Sequence, residues 1–176
     1  MVSVIMRAAG CGCIVAGTSF YGIWLSRRYG IRLAQLEQLR HMIFLLKGQI
    51  LYANAPLHEA FGTVGRRVEG QMSQLFIRVA ERIEMQQGEA FTVIWNEEVE
   101  AYKEDDWLSE QDRQNLKTLG EHLGFLDREM QERNLLLYLE QLDLRIQDMR
   151  EHKQERCRLY SSLGVMSGLF VSILLI

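Results

Sequence analysis

Two uncharged apolar runs frame the sequence, and between them apolar residues recur at helical spacing. The first run, Ala8–Leu25, holds 18 residues without a charge. The second starts at Cys157 and carries no charge after Arg158. Its stretch from Tyr160 to Ile176 counts 17 residues. As helix this spans about 26 Å at ~1.5 Å per residue, near the lower limit for crossing a bilayer. The runs predict an N-terminal transmembrane anchor over 1–28 and a C-terminal one over 157–176, with a cytoplasmic helical bundle over 29–156 between them.

Within the bundle, Leu36, Leu39, Ile43, Leu46 and Ile50 step by threes and fours, a heptad seam. Only Gly30 interrupts the path from the first anchor, so that helix is expected to run on into the domain. Ala53–Pro56 reads as a turn. Pro56, with no amide proton to lose, is expected at the first position of a short helix reaching about Val64. Gly62, Gly65 and Gly70 read as loosening the connection that follows. Met72, Leu75, Phe76, Val79 and Ile83 share one face of a helix over 71–87, ended by Gly88. Phe91, Ile94, Trp95, Val99 and Tyr102 stripe a helix over 89–103. Ser109, with Asp112 three residues on, resembles a capping box with aspartate in place of glutamate. It opens a helix that turns Leu116, Leu119 and Leu123 inward. Gly124 breaks that helix, and Asp127 is suited to cap the last one. There Leu135, Leu139, Leu142, Ile146 and Met149 step by fours and threes, with no breaker before Gly164. The expected fold is all-α: about six helices, the first and last continuous or nearly so with the anchors. A single proline and a wealth of Leu, Glu, Gln, Arg and Met agree with helix, and alternating Val, Ile and Thr are missing.

Charge orients this arrangement. Arg27, Arg28 and Arg32 follow the first run, and Lys153, Arg156 and Arg158 precede or open the second. Both clusters flank the central domain, which places it on the cytoplasmic side. Tyr21, Trp24 and Tyr29 suit an interfacial aromatic belt. Ala8, Gly12 and Ala16 recur every four residues, as do Gly164 and Gly168. Either these small faces let membrane helices pack closely, or they reflect only the abundance of glycine in such helices. The net charge of −3 conceals a local excess: Glu81 to Asp112 holds 11 acidic and two basic residues, a net of −9. This is either a solvated acidic face or a docking patch for a basic cytosolic partner. Glu97, Glu98, Glu100, Glu104, Asp105 and Asp106 are its candidate contact residues. Its sign argues against nucleic acid.

Candidate chemistry is sparse. Cys11 and Cys13 lie in the first run and Cys157 at the start of the second, which is no disulfide framework. His41, His58, His122 and His152 lack the spacing of a zinc pair. No glycine-rich loop leads into Lys-Ser or Lys-Thr, and no serine sits in a nucleophile elbow. Gly120-x-x-x-Gly124 falls at a helix end without a preceding strand, so close packing or capping explains it. The expectation is a protein that is not an enzyme, with no catalytic residue, cofactor or metal. A hidden enzyme or sensor would need a pocket built on His58, Glu59 or His122.

Several residues carry a resemblance across nearly the whole chain: Leu39-Arg40, Ile50 and Tyr52 before Pro56-Leu57, Ala60, Phe76, Ala80, Gly88 and Trp95, Leu116–Gln131, and Ser162–Ile176. The most specific are the Leu-Gly-x-x-Leu-Gly-x-x-Asp run at Leu119–Asp127 and the Ser-Leu-Gly ending. Together they resemble the stage III sporulation protein AB family of endospore-forming bacteria. Ala55 departs from the usual threonine before Pro-Leu, which removes a hydroxyl cap from the second helix. The resemblance implies a non-enzymatic component of a secretion-like channel complex in the double membrane between mother cell and forespore. It also implies a cytoplasmic domain similar to the inner-membrane platform protein of type II secretion and type IV pilus systems. Implied partners are the other stage III sporulation A membrane proteins, the lipid bilayer and, by analogy, a cytosolic ATPase, the sporulation AA protein. The alternative is a helical membrane scaffold or sensor without an ATPase.

Overall fold

The computed structural model describes residues 2–85, 88–102, 108–124 and 128–175; for residues 2–15, 128, 156 and 157 and most residues after Leu159 the description extends to the backbone alone. Six helices follow in order: α1 (Val2–Leu51), α2 (Leu57–Arg67), α3 (Gln71–Met85), α4 (Phe91–Ala101), α5 (Glu110–Leu123) and α6 (Arg128–Leu175). Among the described residues there is no strand, and the all-α expectation holds. The first and last helices run unbroken through both apolar runs, α1 for 50 residues and α6 for 48. Among the described residues no helix is long and apolar enough to cross a membrane.

The chain divides into two compact units, Ala34–Gln147 and a second made of Met1–Leu33 with Asp148–Ile176. In the first, the predicted stripes are the core. Leu36, Leu39, Ile43 and Leu46 of α1 are fully buried. Leu135, Leu139, Leu142 and Ile146 of α6 are buried as well. Each such side chain contributes roughly 1.5–3 kcal/mol through removal from water. Arg40 forks onto Asp143, with Nε and Nη2 donating to the two carboxylate oxygens at 2.6 and 3.0 Å, and so ties α1 to α6.

The short helices pack in chain order. The turn into α2 is made by Asn54 at φ +55, a left-handed conformation that asparagine tolerates. Pro56 is the N-cap of α2 rather than its first residue: its ψ of 154° is extended, while its carbonyl accepts the first helical bond from Ala60 N–H at 2.9 Å. The helix continues to Arg67 and so takes in Gly62 and Gly65, both buried. Gly65 therefore does not loosen a connection. A Cβ there would meet Ile77 Cγ1 at 2.8 Å and Ser73 O at 3.1 Å, so its bareness lets α3 approach. Gly70, at φ +133, makes the turn that follows. Gly88, at φ +123, lies beyond α3 in another conformation that disfavours side chains. In α3, Met72, Leu75, Phe76 and Val79 are buried and Ile83, at the end of the same face, is half-buried.

An aromatic cluster closes the centre. Phe61 of α2 stands 5.0 Å from Phe76 of α3 and 5.4 Å from Trp95 of α4, ring centre to ring centre. Trp95 is fully buried, and its indole N–H donates to Leu116 O of α5 at 2.8 Å. The ring lies over Gly120, where a Cβ would collide with it. The capping box forms as the sequence predicts: Ser109 Oγ accepts from Asp112 N–H at 3.2 Å, and Asp112 Oδ2 accepts from Ser109 N–H at 3.0 Å. Gly124 is the C-cap in a right-handed conformation, φ −73. The cap predicted at Asp127 lies outside the described residues.

In the second unit, Tyr29 turns inward. It is buried, and its hydroxyl donates to Met149 O of α6 at 3.2 Å. It therefore does not join Tyr21 and Trp24 in an outward belt. Those two stack with ring centres 5.9 Å apart, and Arg28 lies over the Trp24 ring at 5.8 Å.

Replacing Gly120 with alanine should destabilise the fold by about 1–3 kcal/mol, because the methyl group overpacks a filled site. Chemical denaturation of the full-length variant measures this, and a change within error of zero would show that the indole moves aside freely.

Candidate docking face

The acidic segment centres on α4, and the structure treats its members differently. Glu98 faces inward, its side chain only 10% exposed. It accepts from Arg78 Nε at 3.1 Å and from Arg82 Nη1 at 3.0 Å. Glu97 is more than half exposed and accepts from Arg82 Nη2 at 2.7 Å. Glu89 adds a third carboxylate to Arg82 at 3.5 Å. Hydrogen bonds to Glu97, then to Glu98, hold the Arg82 guanidinium above its usual pKa. Glu100, half exposed, pairs with Lys117 of α5 at 2.6 Å. Each described candidate acid is thus already matched by a cation of the chain, and the face is a lattice of paired charges. Glu104, Asp105 and Asp106 lie outside the described residues. Of the small-residue candidates, Ala16 is exposed on α1. Gly12 lies on α1 and Gly164 and Gly168 on α6, at positions described by backbone alone.

A second feature escapes sequence reading. Between α5 and α6 runs an open cleft of about 200 Å³. Asn115, Thr118 and His122 line it from α5, and Asn134, Leu137 and Gln141 from α6. Beside it, Asp112 closes its capping box and also accepts from Arg145 of α6. Tyr138 lies against this pair, and its hydroxyl pKa is raised well above the ordinary value. Burial is the main cause and the Asp112 carboxylate the second, with Arg145 opposing. Polar residues three and four apart on α5 (Asn115, Thr118, His122) and seven apart on α6 (Asn134, Gln141) were the available signal, but they read equally as solvated surface. His122 lines this cleft, whereas His58 and Glu59 are exposed on α2. The three do not line a common pocket among the described cavities. Among the described residues no group of three or more His, Cys, Asp and Glu is placed to hold a metal ion.

The model of the stage III sporulation protein AB family matches residues 7–176. The chain belongs to this family. Stage III sporulation protein AB of Bacillus subtilis (strain 168) is 26% identical over 170 residues, covering 97% of this chain and 99% of that protein. A solved structure of stage III sporulation protein AB superposes with a TM-score of 0.66 at 24% identity, covering 71% of this chain and 98% of that one; this is a likeness of fold. The motif that carried the resemblance to the stage III sporulation protein AB family is a packing device here. Leu119 and Leu123 are buried, Gly120 receives the indole, and Gly124 ends α5.

Two variants separate structural from surface acids. Glu98→Ala should lose about 2 kcal/mol, since two arginines lose a shielded acceptor. Glu100→Ala should change stability by less than ~0.5 kcal/mol, as exposed pairs do. Parallel denaturation curves test both, and equal losses would contradict the assignment.

The tyrosine yields a pH prediction. The fold keeps Tyr138 protonated while the unfolded chain ionises it near pH ~10. Its contribution is thus complete below that pH and is lost as pH rises beyond it. Tyr138→Phe should flatten the alkaline fall in stability from about pH 10 upward, measured by denaturant midpoints at each pH. An unaltered slope would mean that Tyr138 ionises as readily folded as unfolded.

Proposed function

We propose that this chain is a non-enzymatic platform component of the secretion-like channel complex between mother cell and forespore, and that sporulation requires it. In this reading its terminal helices lie in the mother-cell membrane around the forespore. The Ala34–Gln147 unit is cytoplasmic, docks the cytosolic ATPase known as the sporulation AA protein, and works beside the other stage III sporulation A membrane proteins. Membership of a sporulation family supports the setting.

One observation favours the bilayer. Along the terminal unit large apolar side chains turn outward on both helices. Phe20 is 73% exposed, Met166 66% and Phe170 67%. In water such a row is unfavourable, and in hydrocarbon it is solvated. The stacked Tyr21 and Trp24 with Arg28 beside them suit the rim of such a layer.

The ATPase would meet the α4 face. Glu97 and Glu100 keep exposed carboxylate surface despite their cation partners, and basic side chains of a partner are steered by such a field. A second reading, a membrane scaffold or sensor without an ATPase, is favoured by that same pairing, which leaves less net charge to offer. Co-purification of the full-length protein with the ATPase decides between them. Charge reversal at Glu97→Lys and Glu100→Lys together should weaken capture roughly tenfold and lower sporulation. Capture that is equal, or absent from the unaltered protein too, would favour the scaffold.

A further inference from the structure

The terminal unit carries a cleft of about 670 Å³ along α6, lined by Glu151, Gln154, Glu155, Arg158, Leu159 and Ser162. Glu151, Glu155, Arg158 and Ser162 step by four, three and four, so they share one face of the helix. Along that face the chemistry changes in a fixed order. Two carboxylates come first, then a guanidinium, then an exposed leucine. No charged residue follows Arg158 in the sequence.

A membrane lipid bearing a primary amine presents the complementary order: ammonium outermost, phosphate next, then glycerol and acyl chains. A two-carbon bridge separates its phosphate from its ammonium. The axial rise from Arg158 to Glu155 is about 4.5 Å, a span such a bridge covers. We propose that this face of α6 holds the headgroup of a phosphatidylethanolamine-type lipid. Its phosphate is bound by Arg158, its ammonium by Glu155 and Glu151, and its acyl end lies along Leu159. Guanidinium and phosphate form strong charge-assisted bonds, and an ammonium with three N–H donors matches two carboxylates.

The competing headgroups fit less well. A choline headgroup has no N–H to donate. An anionic headgroup satisfies Arg158 but places negative charge against two carboxylates. Among the described residues the charges lining the cleft are one positive and two negative, which suits a zwitterion with an exposed ammonium rather than an anion.

The proposal rests on the membrane reading, and its test separates the two. The full-length protein would be reconstituted into nanodiscs of phosphatidylcholine alone, or mixed with phosphatidylethanolamine or phosphatidylglycerol. Lipid retained through gentle extraction would then be identified by native mass spectrometry. Phosphatidylethanolamine should be enriched about fivefold over phosphatidylcholine, the scale of a good charge-assisted contact at an exposed site. Glu151→Gln with Glu155→Gln should abolish that preference, and Arg158→Gln should lower retention of every phospholipid. Equal retention of the three lipids, or a preference of the unaltered protein for phosphatidylglycerol, would overturn the site and leave the membrane reading intact. Failure to enter any bilayer would overturn both.

Discussion

The seat of the Trp95 indole on Gly120 organises the Ala34–Gln147 unit. The ring occupies the space that any side chain at 120 would fill. Its N–H reaches Leu116 O, and its ring packs against Phe61, Phe76 and Phe91. One side chain thus brings α2 and α3 to bear on α4 while joining α4 to α5. A buried indole N–H with no acceptor would forfeit ~1–3 kcal/mol, so the carbonyl at Leu116 is as much a part of the site as the missing side chain. The family motif at Leu119–Gly124 therefore marks a packing constraint more directly than a partner.

Around this seat, polar side chains fasten the helices at distinct points. The Arg40–Asp143 fork joins α1 to α6, Asp112 joins the start of α5 to Arg145, and Gln131 of α6 donates to Leu123 O at the end of α5. Gln38 donates to Glu69 O in the turn between α2 and α3. Apolar stripes alone allow helices to slide or rotate; these fixed bonds define their register. The cations that meet the acids of α4 serve the same end. Arg78 and Arg82 join α3 to α4, and Lys117 joins α5 to α4. The charges of Glu97, Glu98 and Glu100 are thereby matched within the molecule.

The helices, their buried faces and the Ser109–Asp112 box were legible because periodicity and capping are local properties of a sequence. What sequence could not show was pairing. Periodicity sets Glu98 within the apolar stripe of α4 and Glu97 beside it, but only the packed structure supplies the two arginines that meet the inward one. Gly65 resembled a hinge because its partners, Ile77 and Ser73, belong to another helix. Tyr29 shares its neighbourhood with Tyr21 and Trp24, yet its hydroxyl finds an acceptor 120 residues away. The cleft between α5 and α6 was invisible for the same reason: it exists only once two helices with polar faces lie side by side.

The bond from Tyr29 to Met149 has one asymmetric property. Its acceptor belongs to the peptide group, which every amino acid supplies at position 149. Its donor is a phenolic hydroxyl that no other residue type presents at that reach. Substitutions at 149 are therefore answerable only to shape and apolarity, while position 29 is chemically committed. In a sequence free to drift, the tyrosine should persist as its opposite number changes, leaving no trace of correlated variation between two sites in direct contact.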